Sequence, residues 1–321
     1  MQKFKLLLIG AGQLGSRHLQ GLVETRSILS ITVVDQSSDS IQTARSRWIE
    51  AGGETSLHEI RWMQELPSDL TEIDIALVVT SSKKRADLIK SIADSFNVRF
   101  WVIEKVLAQS SADVMSIVSA ASVCSRSWVN IPRRMMKWHK TLKECFYGHG
   151  PISFSFSGGL WGLACNSIHF IDLVAWWTGE SLLSVDCRDL DNNWHESKRS
   201  GYYESTGNLK ITFSEGSLLH LSSKNGSSDT HRMRIELNNG VVWEIDESSG
   251  IATSSEGQRI LGRLEFQSQL SGPLVDHILQ DNKCDLPSLD ESSQMHSIFL
   301  NSMLNHWNSS QNRDDKSLPI T

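Results

Sequence analysis

The stretch that most limits how this chain can fold is Lys3 to Gln20, K-F-K-L-L-L-I-G-A-G-Q-L-G-S-R-H-L-Q. Phe4 to Ile9 is a continuous apolar run, too short for a substantial helix and suited to a strand buried on both faces of a parallel sheet. It leads directly into Gly10, Gly12 and Gly15, spaced as G-x-G-x-x-G. Gly10 permits the tight turn out of the strand, Gly12 lets a pyrophosphate approach the backbone, and Gly15 lets the next helix pack close. Gln13 and Leu14 open that helix, whose free N–H groups and positive dipole end suit an anion. Asp35 ends the following strand, I-T-V-V-D, where a carboxylate meets the ribose hydroxyls of NAD and repels a 2′-phosphate. Asp is also a common turn residue after a strand. No arginine follows in Gln36-Ser37-Ser38, so the pattern favours NAD; NADP is the alternative, because Ser37 and Ser38 can hydrogen-bond a phosphate.

A chain of 321 residues predicts two domains on the usual scale of about 150 residues each. With 39% hydrophobic and 21% charged residues, it can bury a core. A formal charge of −6 without a Lys/Arg stripe argues against a nucleic-acid partner, and no apolar run is long enough for a membrane span. The five cysteines, Cys124, Cys145, Cys165, Cys187 and Cys284, are scattered and form no C-x-x-C pair. Neither a metal site nor a disulfide framework is predicted, and a reduced, cytoplasmic setting is expected.

Strand and helix then alternate. Helices are expected at Leu14–Glu24, Ile41–Glu50, Lys83–Ser95 and Ser111–Val123. Strands are expected at Ile31–Val34, Asp74–Val79, Phe100–Ile103 and Trp128–Ile131. This alternation marks a doubly wound parallel sheet, a Rossmann domain over residues 1–130. Thr80, Glu104 and Lys105 leave strands at the same carboxyl edge as the glycine loop, where ligands of such sheets bind. Residues 131–307 read as an α+β domain built on an open, mainly antiparallel sheet. Its helices are Pro132–Phe146, Asn166–Trp177, Leu270–Gln280 and Ser293–Trp307. Its strands are Ile152–Ser157, Leu183–Cys187, Asn208–Phe213, Ser217–Ser222, Met233–Leu237 and Val241–Ile245, with Asn239-Gly240 as a hairpin turn. Residues 308–321 read as a loose polar tail.

The chain resembles the Gfo/Idh/MocA family of NAD(P)-dependent oxidoreductases in four stretches: G-A-G-Q-L-G-S-R-H (10–18), E-K-V (104–106), N-I-P-R-R (130–134) and N-S-I-H-F-I-D (166–172). The resemblance implies oxidation or reduction of sugars, cyclitols or nucleotide sugars, by a dimer or tetramer packed through the C-terminal sheet. The amphipathic strands of that sheet point the same way, since one face should need cover. Three positions depart from the family pattern. Val106 stands where proline is usual after Lys105, Cys165 stands where an Asp usually precedes the active-site His by four residues, and Ser167 stands where a Gly often precedes it by two.

Hydride transfer at a sugar carbon needs a positioned nicotinamide, a base for the hydroxyl proton, and a cation for developing alkoxide charge. Lys105 is the expected cation and a contact for substrate and cofactor alike; alone, it would read as a solvated strand-end lysine. His169 is the expected general acid/base, because imidazole titrates near neutral pH. In isolation a histidine between Ile168 and Phe170 would read as core. Cys165, Asn166, His169 and Asp172 share one helix face, however, which supports chemistry there. Asn166 is a candidate substrate contact, and Asp172 reads mainly as a helix anchor. Arg133 and Arg134, where the two domains should meet, could hold a substrate carboxylate or phosphate, or could equally form an ion pair to the opposing domain. Trp161 could wall a sugar ring or could simply be buried. The expected function is NAD-dependent oxidation or reduction of a sugar, cyclitol or nucleotide-sugar hydroxyl at the interdomain cleft. The alternatives are a glycosidase of this fold that uses NAD catalytically, and a dinucleotide-binding sensor without turnover.

Overall fold

The computed structural model describes residues 3–226 and 232–321. The chain divides into two compact units. The first holds the residues up to Leu107, with Met115–Pro132 and Glu265–Asp290; the second holds Ala108–Val114, Arg133–Leu264 and Glu291–Thr321.

In the first unit, strand and helix alternate as β1 (Phe4–Ile9), α1 (Gln13–Leu22), β2 (Leu29–Val34), α2 (Ser38–Glu50), β3 (Glu59–Met63), β4 (Glu72–Val78), α3 (Arg85–Ser95), β5 (Asn97–Glu104), α4 (Ser111–Ala121) and β6 (Arg126–Asn130). All neighbours pair in parallel in the order β3-β2-β1-β4-β5-β6. The centre of the sheet is apolar through both faces: Leu7, Leu8, Ile75, Ala76, Phe100 and Ile103 are fully buried. The order reverses between β1 and β4, the place where sheets of this kind open a crevice. Strand β3 lies outside the sequence reading. It is an edge strand carrying Glu59 and Arg61 with only partial burial, so it shows neither the continuous apolar run nor the clean alternation that marks a strand.

In the second unit, a 3₁₀ turn (Pro132–Met135) precedes α5 (Lys137–Phe146), where one continuous helix was expected. Then come β7 (Ile152–Gly158), α6 (Leu163–Thr178), β8 (Leu182–Asp186), β9 (His195–Glu196), β10 (Tyr203–Glu204), β11 (Gly207–Phe213), β12 (Leu218–Ser223), β13 (Arg232–Leu237), β14 (Val242–Asp246), β15 (Ile251–Ser254) and β16 (Arg259–Leu261). Eight strands form one sheet in the order β16-β15-β14-β13-β7-β12-β11-β8, antiparallel except at β7–β12. Asn239-Gly240 makes the β13–β14 hairpin as expected: Gly240 has φ +84° and donates to Leu237 O at 2.9 Å. The inner face is aromatic, with Phe154 and Phe146 packed on Trp177 at centroid distances of 5.9 and 4.8 Å. The outer face carries Ser153, Ser155, Ser157, Lys210, Arg232, Arg234 and Glu236. The inner apolar face is buried within the unit, whereas the outer face mixes these polar residues with half-buried Leu218, Val242 and Ile251 and exposed Leu261.

Two long helices close the chain, α7 (Gln267–Asp281) and α8 (Leu289–Gln311). Helix α7 groups with the first unit, contrary to the linear division expected. It crosses α1 where Gly21 and Gly272 leave no room for a side chain: a Cβ on Gly21 would lie 2.4 Å from Ser268 O. The tail is not loose. Leu318 and Ile320 are fully buried, Leu318 N donates to Gln109 O at 2.7 Å, and Pro319 O accepts from Tyr203 N at 2.8 Å. Asp315 adds to this docking, its carboxylate accepting from Trp307 Nε1 at 2.8 Å. Among the described residues no helix is long and apolar enough to cross a membrane.

Candidate active site

The glycine loop follows β1 at the carboxyl edge of the parallel sheet. Gly10 has φ +97°, and a Cβ there would stand 2.8 Å from Val79 O, so only glycine fits. A Cβ on Gly15 would fall 1.8 Å from Gly10 O, which is what lets α1 lie so close to the strand. Around Gly12 the added Cβ meets nothing within 4 Å. No side chain caps α1 at Gly12, so the first-turn N–H groups at Gln13 and Leu14 keep that end open. Asp35 is held beside the loop: its carboxylate accepts from Ala11 N at 2.7 Å and Ser37 N at 2.8 Å. Each oxygen retains a second lone pair for a ribose hydroxyl. Thr80 leaves β4 next to Gly10, and its buried Oγ1 has no hydrogen-bond partner among the described residues. The open loop, the uncapped helix and that orphaned hydroxyl together fit a dinucleotide.

Arg47 is a cation that the sequence reading missed. It reaches from α2 to the start of α1, donating to Gln13 Oε1 at 2.8 Å and Ser16 Oγ at 2.5 Å. Nothing local marks it, because its partners belong to another helix.

Lys105 is the first residue beyond β5, at the edge shared with Thr80 and the glycine loop, and it is half-buried. Its peptide bond to Val106 is cis. Buried Arg85 organises this edge. Its guanidinium donates to Glu104 O at 2.6 Å and Leu107 O at 3.1 Å, and also to Val106 O and Thr80 O, tying the exits of β4 and β5 together. Two guanidinium nitrogens spread these four carbonyls over a rigid fork, one more than the three donors of a lysine ammonium could serve.

Glu104, expected to touch the cofactor, is only 4% exposed, with its carboxylate turned into the first unit. It accepts from Asn130 Nδ2 and lies 3.3 Å from His18 Nε2. His18 Nδ1 in turn lies 2.9 Å from Ser271 Oγ on α7. This buried cluster joins β5, β6, α1 and α7 and accounts for the carboxylate without a ligand. His18, three residues past Gly15, was visible in the sequence, but its partners were not.

In the second unit, α6 begins at Gly162, whose φ of +76° is left-handed. Cys165, Asn166 and His169 lie on its first turns and are half-buried. Asn166 Nδ2 donates to Trp161 O at 2.8 Å, fastening the preceding loop. Trp161 is wedged edge-on against Phe156 and Phe170 at 5.0 and 5.5 Å, and its Nε1 donates to Ser222 O at 2.9 Å. It is half-buried, part wall and part core.

Arg133 and Arg134 do not present open cations to a ligand. Arg133 grips Glu247 through two 2.8 Å hydrogen bonds, and Arg134 grips Asp172 at 2.7 and 2.9 Å and Glu291 at 2.7 Å. All of these partners lie in the second unit, so neither the substrate-anchor reading nor the opposing-domain reading holds. Burial lifts the Asp172 carboxyl to about 6, outweighing the pull of Arg134. Burial opposes ionisation of Glu247 too, but Arg133 and His139 overcome it and hold its carboxyl well below the usual range.

Residues 4–127 match the family described as "Oxidoreductase family, NAD-binding Rossmann fold", Gfo/Idh/MocA. A comparison with curated protein sequences gave no match. Among solved structures, the fold is similar to UDP-N-acetylglucosamine 3-dehydrogenase GnnA from Acidithiobacillus ferrooxidans, with a TM-score of 0.73 and 13% identity over 97% of this chain and 100% of that one. It is also similar to myo-inositol 2-dehydrogenase from Lactobacillus plantarum, with a TM-score of 0.67 and 16% identity over 100% of both chains. GenD2 from gentamicin A biosynthesis, solved in complex with NAD, has a TM-score of 0.68 and 14% identity over 96% of this chain and 95% of that one. At these identities the solved structures speak to fold alone, and the match over residues 4–127 identifies that part of the chain as similar to the NAD-binding Rossmann fold of the Gfo/Idh/MocA oxidoreductases.

Proposed function

We propose that the protein is an NAD-dependent oxidoreductase that interconverts a hydroxyl and a keto carbon of a sugar or cyclitol. The observation that carries this reading is the row of features at the adjacent ends of β1, β4 and β5: an open glycine loop, an orphaned Thr80 hydroxyl, and Lys105. NAD, when bound, supplies the hydride chemistry. Lys105 holds the reacting oxygen and offsets its developing negative charge. His169 takes or returns the hydroxyl proton, with Asn166 and Trp161 shaping the ground beside it. Because Arg133 and Arg134 are engaged by acids, the cations considered for a nucleotide diphosphate are taken. Uncharged sugars and cyclitols therefore come first in the test, with nucleotide sugars as a second arm. Single-turnover formation of NADH across such a panel tests the reading; no NADH with any member would count decisively against it.

Cofactor choice follows from Asp35. NAD(H) should bind at least tenfold more tightly than NADP(H), about 1.4 kcal/mol. Asp35→Ala should narrow the gap, both by removing the repulsion and by freeing Ala11 N from its acceptor. Fluorescence titration giving equal affinities in the wild type would remove this assignment.

Assembly through the outer face of the β7–β16 sheet belongs to the same proposal, supported by the family resemblance. Its serines and alternating charges suit a wet, hydrogen-bonded interface. Light scattering should read a dimer or tetramer; a monomer at micromolar concentration would exclude it.

A further inference from the structure

The polar face of α6 meets a carboxylate from far along the chain. Glu204, at the end of β10, is 7% exposed, and its Oε2 accepts from Ala164 N, in the first turn of α6, at 2.8 Å. Its other oxygen turns toward the side chains of that turn. A Cβ built on Gly162 would stand 3.2 Å from Glu204 Oε1 and 3.1 Å from both Cys165 Sγ and Asn166 Nδ2, so these three groups surround one point. Cys165 and Asn166 precede His169 by four and three residues, and so lie next to it on the helix face. Among the described residues, other charges near α6 have partners of their own: Asp172 with Arg134, Glu291 also with Arg134, Glu247 with Arg133 and His139, and Lys143 over the Trp176 ring at 4.7 Å. The segment that delivers Glu204 is itself fixed, since Tyr203 N donates to Pro319 O in the docked tail and the Tyr203 ring packs on Trp307 at 5.1 Å.

We propose that Glu204 is the positioning carboxylate of His169, orienting the imidazole and stabilising its protonated form. This rests on the reading of His169 as the acid/base of the proposed reaction. Glu204 is thereby more than a cap for α6. Cys165 cannot do the same work, because a neutral thiol is a weak acceptor. The arrangement places the carboxylate outside the helix that bears the histidine, on a two-stranded hairpin held by the C-terminal residues.

The test uses the full chain labelled at histidine, with the His169 imidazole signal identified by its loss in His169→Ala and followed through a pH titration. Glu204→Gln keeps an oxygen to accept from Ala164 N while removing the charge, so a purely capping role leaves His169 unmoved. On our proposal the His169 midpoint falls by about one pH unit in Glu204→Gln, since a nearby anion favours the imidazolium. Placing a carboxylate one turn before His169, in Glu204→Gln/Cys165→Asp, should bring it back. An identical His169 midpoint in the wild type and folded Glu204→Gln overturns the proposal. If Glu204→Gln does not fold, Glu204→Asp keeps the charge but withdraws it by a methylene; an unchanged midpoint there overturns the proposal equally. The titration needs no substrate, so its outcome is separate from that of the hydride-transfer assay on His169→Ala, which tests the catalytic reading itself.

Discussion

Lys105→Met and His169→Ala should each lower single-turnover hydride transfer by about 10²–10⁴-fold, the range for a positioned acid/base or charge-stabilising group. That corresponds to about 3–5 kcal/mol of lost transition-state stabilisation. Lys105 follows the exit of β5, and His169 lies on α6. Methionine keeps most of the length and the apolar stem of lysine but removes the charge, so the loss reads mainly the charge and not the packing. NAD affinity should stay within a few-fold in both variants, because the glycine loop, Asp35 and Thr80 are untouched. Cys165→Ala should be mild. Asn166→Ala should cost more, because its amide also fastens the loop at Trp161 O. Unchanged turnover in both the Lys105 and His169 variants would eliminate this site and leave a dinucleotide-binding protein without this chemistry.

Arg134→Met should destabilise the second unit by about 3–5 kcal/mol at pH 8, because it leaves a buried carboxylate without its counter-ion. Asp172 is 0% exposed and bound by both arms of the guanidinium. Its folded pKa of about 6 lies above the ordinary 3.8, so between these values the folded chain binds the extra proton. Stability from this group is therefore greatest below about pH 4 and declines as the pH rises to about 6. Without Arg134 the folded value climbs further and the unfavourable region extends upward, so the variant should recover part of its loss at pH 5. Glu247 runs the other way. Its depressed carboxyl contributes stability above the ordinary 4.5 that is lost on acidification, in wild type and variant alike. Urea unfolding at pH 8 and pH 5 measures the difference; an equal loss at both would show that protonation of Asp172 is not what relieves the strain.

The parts of the fold that local pattern controls were legible in the sequence. Phe4–Ile9 and the three glycines specify a buried strand, a tight turn and a close helix because each requirement is met within a few residues. The strand–helix alternation followed from apolar periodicity, and the Asn239-Gly240 hairpin from the positive φ that glycine accepts. Edge strands β3 and β16, and short β15 beside the rim, escaped because a strand at or next to an edge needs little apolar sequence to hold it. What only the tertiary structure decided was the partner of each long polar side chain. Glu104 stands beside a candidate catalytic lysine in sequence, yet it faces inward because His18 and Asn130 wait there. Arg133 and Arg134 resemble ligand anchors until Glu247, Asp172 and Glu291 arrive from distant segments. Glu204 carries no local signal, and it reaches α6 only because the hairpin and the docked tail bring it there. Backbone periodicity is set by near neighbours, whereas the partner of a charge is set by whichever distant segment folds against it.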